Sequence, residues 1–138
     1  MDFLVSDGFR AAIHLGGRVL FCMLFIMSGL NRFLKMNDVS ANAASKGVPA
    51  AKAWTVVSGI VFVVGGVLVL LGWHRFIGAG LLAIILFLSA VLTHAFWKET
   101  ESGAQTNEMV HFMKDMALAG AALMIAYYSG LPWPLSLG

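Results

Sequence analysis

The chain has 138 residues, of which 59% are hydrophobic and 12% are charged, and its formal net charge is +2 at pH 7. So little polar surface cannot cover a water-soluble domain of this length, and the composition therefore predicts an integral membrane protein. The positive charge is small and dispersed, with no basic run, which argues against a nucleic-acid-binding function.

The first residues include acidic side chains, whereas the start of a secretory signal peptide is basic. Asp2 and Asp7 flank the start of the chain, and no small-residue cleavage motif closes the first apolar segment. We therefore expect this segment to be retained as a membrane-spanning helix.

Hydropathy predicts four membrane-spanning helices, since each needs about 20 mainly apolar residues. In chain order they cover residues 11–33, 54–73, 76–96 and 116–133. These segments and short connections use almost the whole chain. The prediction is therefore one domain over residues 1–138, an all-α, antiparallel four-helix bundle in the membrane.

Tryptophans mark the predicted ends of these helices. Trp54 and Trp73 bracket the second helix, while Trp97 and Trp133 end the third and fourth. Because an indole ring prefers the headgroup layer, all four are interpreted as interface markers.

The connections between the helices differ in length. A tight turn at His74 and Arg75 joins the second and third helices and makes them antiparallel neighbours. The connection over residues 37–53 is longer, and its Ala-rich part is predicted to form a short helix on the membrane interface.

Small residues provide the predicted packing seams, because helices in a bilayer gain contact energy from close backbone approach. These residues recur within the second, third and fourth predicted helices: Gly59, Gly65, Gly66, Gly72, Gly78, Gly80, Ala117 and Ala121. We interpret them as contacts within one chain, with a homodimer seam as the alternative.

Ionisable side chains concentrate in one polar hairpin, residues 93–115. The candidate ligand-binding residues share the membrane edge at which this hairpin is expected to lie: His94, Trp97, His111, Lys114, Asp115, Asn31 and Arg32. Such a set suits a quinone or another amphipathic ring, since His, Lys and Arg hydrogen-bond carbonyl oxygens and Trp stacks on rings. The alternative is that these side chains only anchor the helix ends in the headgroups.

A metal site is the weaker alternative for this hairpin. Glu108 and His111 form a Glu-x-x-His pattern, and His94 adds a third donor. A di-iron carboxylate bundle needs a second such motif and two further carboxylates, which the chain lacks. Haem ligation by the two histidines is the other option. We predict no metal site and no intrinsic cofactor, and keep a quinone as the cofactor to consider.

Arg18 lies about two turns into the first predicted helix, where its guanidinium needs water, a phosphate or an acceptor. With no evident acidic partner in the spans, we expect it to snorkel to the outer headgroups, and a functional or subunit contact is the alternative. The only cysteine, Cys22, cannot form a dithiol, which excludes quinone-coupled disulfide formation by this chain alone.

Several short motifs follow one another along the chain. They are Arg18, Ser28-Gly29-Leu30-Asn31-Arg32-Phe33, Lys46-Gly47-Val48-Pro49, Val64-Gly65-Gly66-Val67-Leu68, Arg75, His94-Ala95-Phe96-Trp97 and His111-Phe112-Met113-Lys114-Asp115. In this order they resemble the DoxX family of small four-helix membrane proteins, and the resemblance covers nearly the whole chain.

The resemblance implies a multi-pass protein of the bacterial inner membrane. Some DoxX members look like subunits of quinone-linked oxidoreductases such as thiosulfate:quinone oxidoreductase, others associate with redox-stress complexes, and many have no assigned activity. The expectation is therefore a membrane subunit with protein partners in a quinone-linked or redox-related complex, not catalytic alone. The alternatives are a structural or assembly subunit and a small transporter, although the spans lack the paired charges and broken helices typical of transporters.

Two positions depart from the family pattern. Phe62 stands three residues before the paired glycines, where members usually carry glutamate, and Asp115 replaces the asparagine usual after Lys114. Losing the intramembrane acid weakens the case for proton handling at that position. Asp115 partly offsets the loss, because it places a carboxylate beside Lys114.

The distribution of Lys and Arg predicts the orientation. Six of them accompany the first and third connections, whereas three accompany the termini and the second connection. By the positive-inside rule, the polar hairpin lies in the cytoplasm and both termini lie outside. A cysteine added at the carboxyl terminus should then react with a membrane-impermeant maleimide on intact cells. A terminal reporter fusion that is active in the cytoplasm would overturn this orientation.

Overall fold

The computed structural model describes residues 6–138, and within them the chain forms helices and no strand. The helices are α1 (Asp7–Leu34), α2 (Met36–Ser45), α3 (Ala51–Leu71), α4 (Arg75–Thr93) and α5 (Ser102–Tyr127), with 3₁₀ turns at Phe96–Lys98 and Tyr128–Gly130. Residues 1–5, on which the expectation about the amino terminus partly rests, lie outside the described range.

Four helical segments are long and apolar enough to cross a membrane: Asp7–Leu34, Ala51–Leu71, Arg75–Lys98 and Ser102–Gly130. The chain is therefore a multi-pass membrane protein. α1 packs on α3, α3 on α4 and α4 on α5, so consecutive spans are neighbours in space. The predicted all-α bundle with four spans is confirmed.

Local chemistry explains where the helices begin and end. The Ser6 hydroxyl accepts a hydrogen bond from the backbone N–H of Phe9 at 3.3 Å, and Asp7 follows in the first turn, where a negative charge favours the helix dipole. α3 ends at Gly72, whose φ of 67° is a left-handed conformation that glycine adopts at low cost. The long first connection forms a short helix as predicted, and α2 packs mainly against α3.

The last span differs from its prediction at both ends. α5 begins at Ser102 rather than at residue 116, and it ends at Tyr127 rather than at residue 133. The hydropathy prediction omits the first turns of α5 because they are polar. Glu108 in these turns pairs with Lys46 and His94 on neighbouring elements. Most of the predicted polar hairpin is therefore helix.

Glycines set the distances between α1, α3 and α4. A Cβ on Gly29 would lie 2.6 Å from Val63 Cγ2 and 2.8 Å from the carbonyl oxygen of Gly59. Across α3 and α4, a Cβ on either Gly65 or Gly78 would lie 3.1 Å from the other's carbonyl oxygen. Side chains larger than hydrogen would push these helices apart, so the predicted intrachain seam is present at Gly59, Gly65 and Gly78, and Gly29, which is not among the predicted residues, is part of it.

Other small residues lie outside that seam. A Cβ on Gly80 or on Gly120 would meet no atom within 4 Å, and Ala117 is exposed on α5. Because these small residues are not packed within the chain, a homodimer seam at them stays a prediction.

Arg18 is buried at the opposite end of the bundle from the polar hairpin, with 6% of its surface exposed. Its Nε donates to the carbonyl oxygen of Leu70 at 3.0 Å, its Nη1 to that of Pro134 at 2.8 Å, and its Nη2 to that of Leu135 at 2.7 Å. The guanidinium therefore does not snorkel to the headgroups as expected, because backbone carbonyls of the same chain satisfy it.

The segment after the last 3₁₀ turn folds back over this end. The Trp133 ring lies 4.8 Å from the Arg75 guanidinium and 4.8 Å from the His14 ring. The backbone N–H of Leu137 donates to the carbonyl oxygen of Leu71 at 2.9 Å. We call residues 131–138 the carboxyl-terminal clasp, since they tie the end of α3 to α1 through Arg18.

Replacing Arg18 with glutamine should lower the free energy of unfolding by about 3 kcal/mol, because a hydrogen bond from a charged donor contributes about 1.5–3 kcal/mol and its loss leaves buried carbonyls unpaired. SDS titration in mixed micelles, followed by circular dichroism, measures the change. The matched control is Arg10→Gln, an exposed position on the same helix, which should change stability little. Equal stability of the two variants would contradict the role of Arg18 in the clasp.

Gly29→Ala should destabilise the protein by about 1–3 kcal/mol, since the added methyl group overpacks the contact between α1 and α3. Gly16→Ala is the control on the same helix, because a Cβ there meets nothing within 4 Å. That change should be neutral or stabilising by up to about 1 kcal/mol through helix propensity. The same titration compares them, and a reversed order would refute the close approach at Gly29.

Candidate functional site

A network of ion pairs lies where α4 ends, α5 begins and the chain leaves α2. Lys46 Nζ is 2.6 Å from Glu108 Oε1, and His94 Nδ1 is 2.7 Å from Glu108 Oε2. His94 Nε2 lies 3.8 Å from Asp115 Oδ2. We call these four residues the polar network, in which Glu108 joins three elements and His94 stands between two carboxylates.

Helix geometry places these groups together. Glu108, His111 and Asp115 follow one face of α5 at spacings of three and four residues. His94 is the residue that ends α4, and its ring stacks on that of His111 with centroids 5.1 Å apart and an angle of 23° between the planes. Lys114 Nζ lies 3.4 Å from His111 Nδ1. The end of α4 therefore contacts α5 through ionisable side chains.

The polar network is shielded from solvent. The exposed side-chain fraction is 13% for Glu108, 9% for Asp115 and 21% for His94. Charges in such surroundings interact more strongly than at a free surface, because less water screens them. The ion pairs therefore hold α2, α4 and α5 together at this end.

Two cavities meet at His94. The first, which we call the α2 cavity, has a volume of about 260 Å³. Its polar lining comes from Ser28, Asn31, Arg32, Asn42, Trp54, Thr93 and His94. The second, which we call the interhelical cavity, has a volume of about 110 Å³ and lies among α1, α3, α4 and α5. Its lining includes Arg32, Phe62, His94, Lys114 and Asp115. Ser28, Arg32 and His94 line both cavities.

Two buried N–H donors at the α2 cavity have no partner. They are Arg32 Nε and Trp54 Nε1, on α1 and α3. A buried donor without an acceptor costs about 1–3 kcal/mol, so such groups are usually satisfied by water or by a ligand. Two residues that line the α2 cavity thus each carry a buried donor that has no acceptor in the protein.

Phe62 occupies the place where the resemblance leads us to expect a glutamate. The Arg32 guanidinium lies 4.9 Å from the centre of the Phe62 ring, which is the distance of a cation–π contact. Asp115 lines the same cavity as both residues. The carboxylate that lines the interhelical cavity therefore belongs to Asp115 on α5, whereas the resemblance leads us to expect one on α3.

The structure brings most of the predicted site residues together. His94, His111, Lys114 and Asp115 meet in or beside the polar network, as described above, and Arg32 with Asn31 lines the α2 cavity. Trp97 is the exception: it is 51% exposed, and its ring packs edge-on against Phe112 at 5.7 Å. It therefore does not stack within the cavities as hypothesised.

Sequence reasoning missed two members of the site. Lys46 appears in the first connection, far along the chain from Glu108, and nothing in its surroundings predicts that pair. Trp54 is predicted to be an interface marker, yet its indole N–H is buried beside the α2 cavity. The sequence does not distinguish a Trp54 at the membrane interface from a Trp54 buried beside the cavity, because the difference depends on where α2 lies over α3.

The metal alternatives find little support in this geometry. Among residues 6–138, no group of three or more His, Cys, Asp or Glu is arranged to hold a metal ion. Glu108 is already engaged by Lys46 and His94. The stacked rings of His94 and His111 do not present nitrogens to opposite faces of a haem iron.

A comparison with protein families gives one match: the family model described as DoxX covers residues 13–95. The match includes most of α1 and all of α2, α3 and α4, and it ends just after His94. Glu108, His111 and Asp115 on α5 lie beyond it. No curated protein and no solved structure matches the chain.

Proposed function

Because the chain belongs to the DoxX family, we propose that it is a membrane subunit of a quinone-linked redox complex and that the α2 cavity receives the quinone ring. One observation carries this proposal: Arg32 Nε and Trp54 Nε1 are buried without acceptors, and both residues line that cavity. A quinone carbonyl oxygen is an acceptor of the kind these donors lack.

The size and lining of the α2 cavity support a ring of this class. Its volume of about 260 Å³ lies just below the range of about 300–1,000 Å³ typical of small-molecule pockets, so it suits one ring and not a whole isoprenoid lipid. His94, Asn31 and Thr93 add polar groups to its wall. The hydrocarbon around the bundle accommodates an apolar tail.

Each part of the site has its own role in this proposal. Arg32 and Trp54 donate to a carbonyl oxygen and so fix the ring's orientation. The pair of Lys46 and Glu108 holds the end of α2 against α5, and α2 contributes Val39, Asn42 and Ala43 to the wall of the α2 cavity. A bound quinone supplies reversible electron and proton chemistry, and the partner complex supplies the electrons.

A structural or assembly subunit is the second candidate. Gly80 and Gly120 face open space, which leaves small-residue surfaces on α4 and α5 that another helix can approach closely. In that case the polar network only fastens the end of the bundle. The two candidates differ in whether the α2 cavity binds a ring.

Binding of decylubiquinone and menadione to the purified protein, measured by equilibrium dialysis in detergent, tests the proposal. Trp54→Phe removes the N–H donor and keeps an aromatic ring, and Arg32→Gln removes the guanidinium. Each change should weaken binding about tenfold, the effect of losing one hydrogen bond of about 1.4 kcal/mol. The matched controls are Trp73→Phe and Arg10→Gln, which lie outside the α2 cavity lining and should leave binding unchanged.

The outcomes separate the two candidates. Absence of saturable binding to the wild-type protein would refute the quinone site. Binding that Arg32→Gln and Trp54→Phe leave unaltered would place the ring elsewhere and refute the α2 cavity as the site. Purification in mild detergent adds the partner: stable copurification with an oxidoreductase supports the redox subunit, whereas partner assembly with no quinone binding supports the structural one.

A further inference from the structure

His94 has a carboxylate beside each ring nitrogen. Its Nδ1 is 2.7 Å from Glu108 Oε2, and its Nε2 is 3.8 Å from Asp115 Oδ2. An imidazole can take up a proton on one nitrogen and release a proton from the other. The first contact is a hydrogen bond, and the second needs only a bridging water or a small rotation of the carboxylate.

The two carboxylates lie in different surroundings. Glu108 pairs with Lys46, at the end where α2 and α5 meet the connecting segments. Asp115 is more deeply buried and lines the interhelical cavity, while His94 lines both cavities. The three side chains therefore form a continuous line from the polar edge of the bundle to a group enclosed among the helices.

Neighbouring cations nearly balance the negative charges of Glu108 and Asp115. Glu108 faces Lys46, and Asp115 interacts electrostatically with Arg32. His111 stacks on His94, and Lys114 contacts His111. With each carboxylate opposed by a permanent cation, His94 is the group in the line that can change its charge without leaving an unpaired carboxylate.

We propose that Glu108, His94 and Asp115 form a proton-transfer chain between the polar edge and the cavities of the bundle. The identity of the proton acceptor rests on the proposed function: His94 gives the proton on Nε2 to a quinone oxygen, and its Nδ1 takes up a proton that is passed on by the Glu108 carboxylate. Water at the polar edge supplies that proton, and Glu108 holds it only during the transfer because the carboxylate is otherwise ionised in its pair with Lys46. The Asp115 carboxylate, 3.8 Å from Nε2, stabilises the proton on that nitrogen between transfers. Each electron from the redox partner is then matched by one proton passed along this line.

The proton-transfer chain can be tested without any quinone. In the full-length protein with ¹⁵N-labelled histidine, nuclear magnetic resonance measures how fast the ring N–H of His94 exchanges with water. Glu108→Gln interrupts the path to the polar edge and should slow this exchange about tenfold. Glu101→Gln, an exposed position at the start of α5, is the control and should not slow it. Exchange that is unchanged in Glu108→Gln would overturn the chain.

A second experiment follows proton uptake when decylubiquinone bound to the protein is reduced with pre-reduced methyl viologen, a one-electron donor that releases no proton, using a pH-indicating dye in stopped flow. Glu108→Gln and Asp115→Asn should each slow uptake about tenfold or more, measured for every variant at a decylubiquinone concentration that saturates it. Added formate or imidazole should restore the rate, because a small acid can replace a missing proton donor and cannot repair misfolding.

Failures of the two proposals are distinguishable. If the wild-type protein does not bind decylubiquinone, the proposed function fails, and the exchange experiment still decides the chain. If decylubiquinone binds but the rate of uptake is the same in all variants, the chain is refuted and the quinone site stands. A slow variant that neither formate nor imidazole rescues also counts against proton transfer.

Discussion

The hydrocarbon interior of a bilayer offers no hydrogen-bond partners, and this constraint governs both ends of the bundle. At one end Arg18 is satisfied by three backbone carbonyls, two of them in the carboxyl-terminal clasp. At the other end Glu108 is satisfied by Lys46 and His94. Each end is closed by a segment that is not a membrane span, the clasp at one and α2 with its connection at the other. Polar satisfaction therefore explains why these segments fold back onto the spans.

Between the two ends, backbone contacts decide how the site is built. The approach of α1 to α3 at Gly29 and Gly59 also fixes Arg32, since a Cβ on Gly59 would lie 3.4 Å from Arg32 Cβ. Arg32 lies over the Phe62 ring and lines both cavities. A glycine contact that carries no chemistry of its own thus positions a residue proposed to bind a ligand.

Much of this architecture is readable from the sequence. The four spans follow from apolar runs, and the grouping of His94, His111 and Asp115 follows from helical spacing. The start of α5 is not readable from hydropathy, because its first turns are polar and are stabilised by partners on other elements. The partners of Arg18 leave no trace in the sequence, since a backbone carbonyl belongs to every residue type. The role of Trp54 is hidden for a similar reason: its burial depends on where α2 lies.

The hydrogen bonds of Arg18 also constrain the order in which the protein matures in the membrane. The acceptors at Pro134 and Leu135 are 116 and 117 residues further along the chain, so α1 enters the bilayer long before they are synthesised. During that interval the guanidinium has to be paired with water or lipid headgroups, because an unpaired charge within the bilayer is costly. The first span therefore acquires its final environment only after the other three have been inserted. Truncation within the clasp would leave a protein whose earliest helix never completes its assembly.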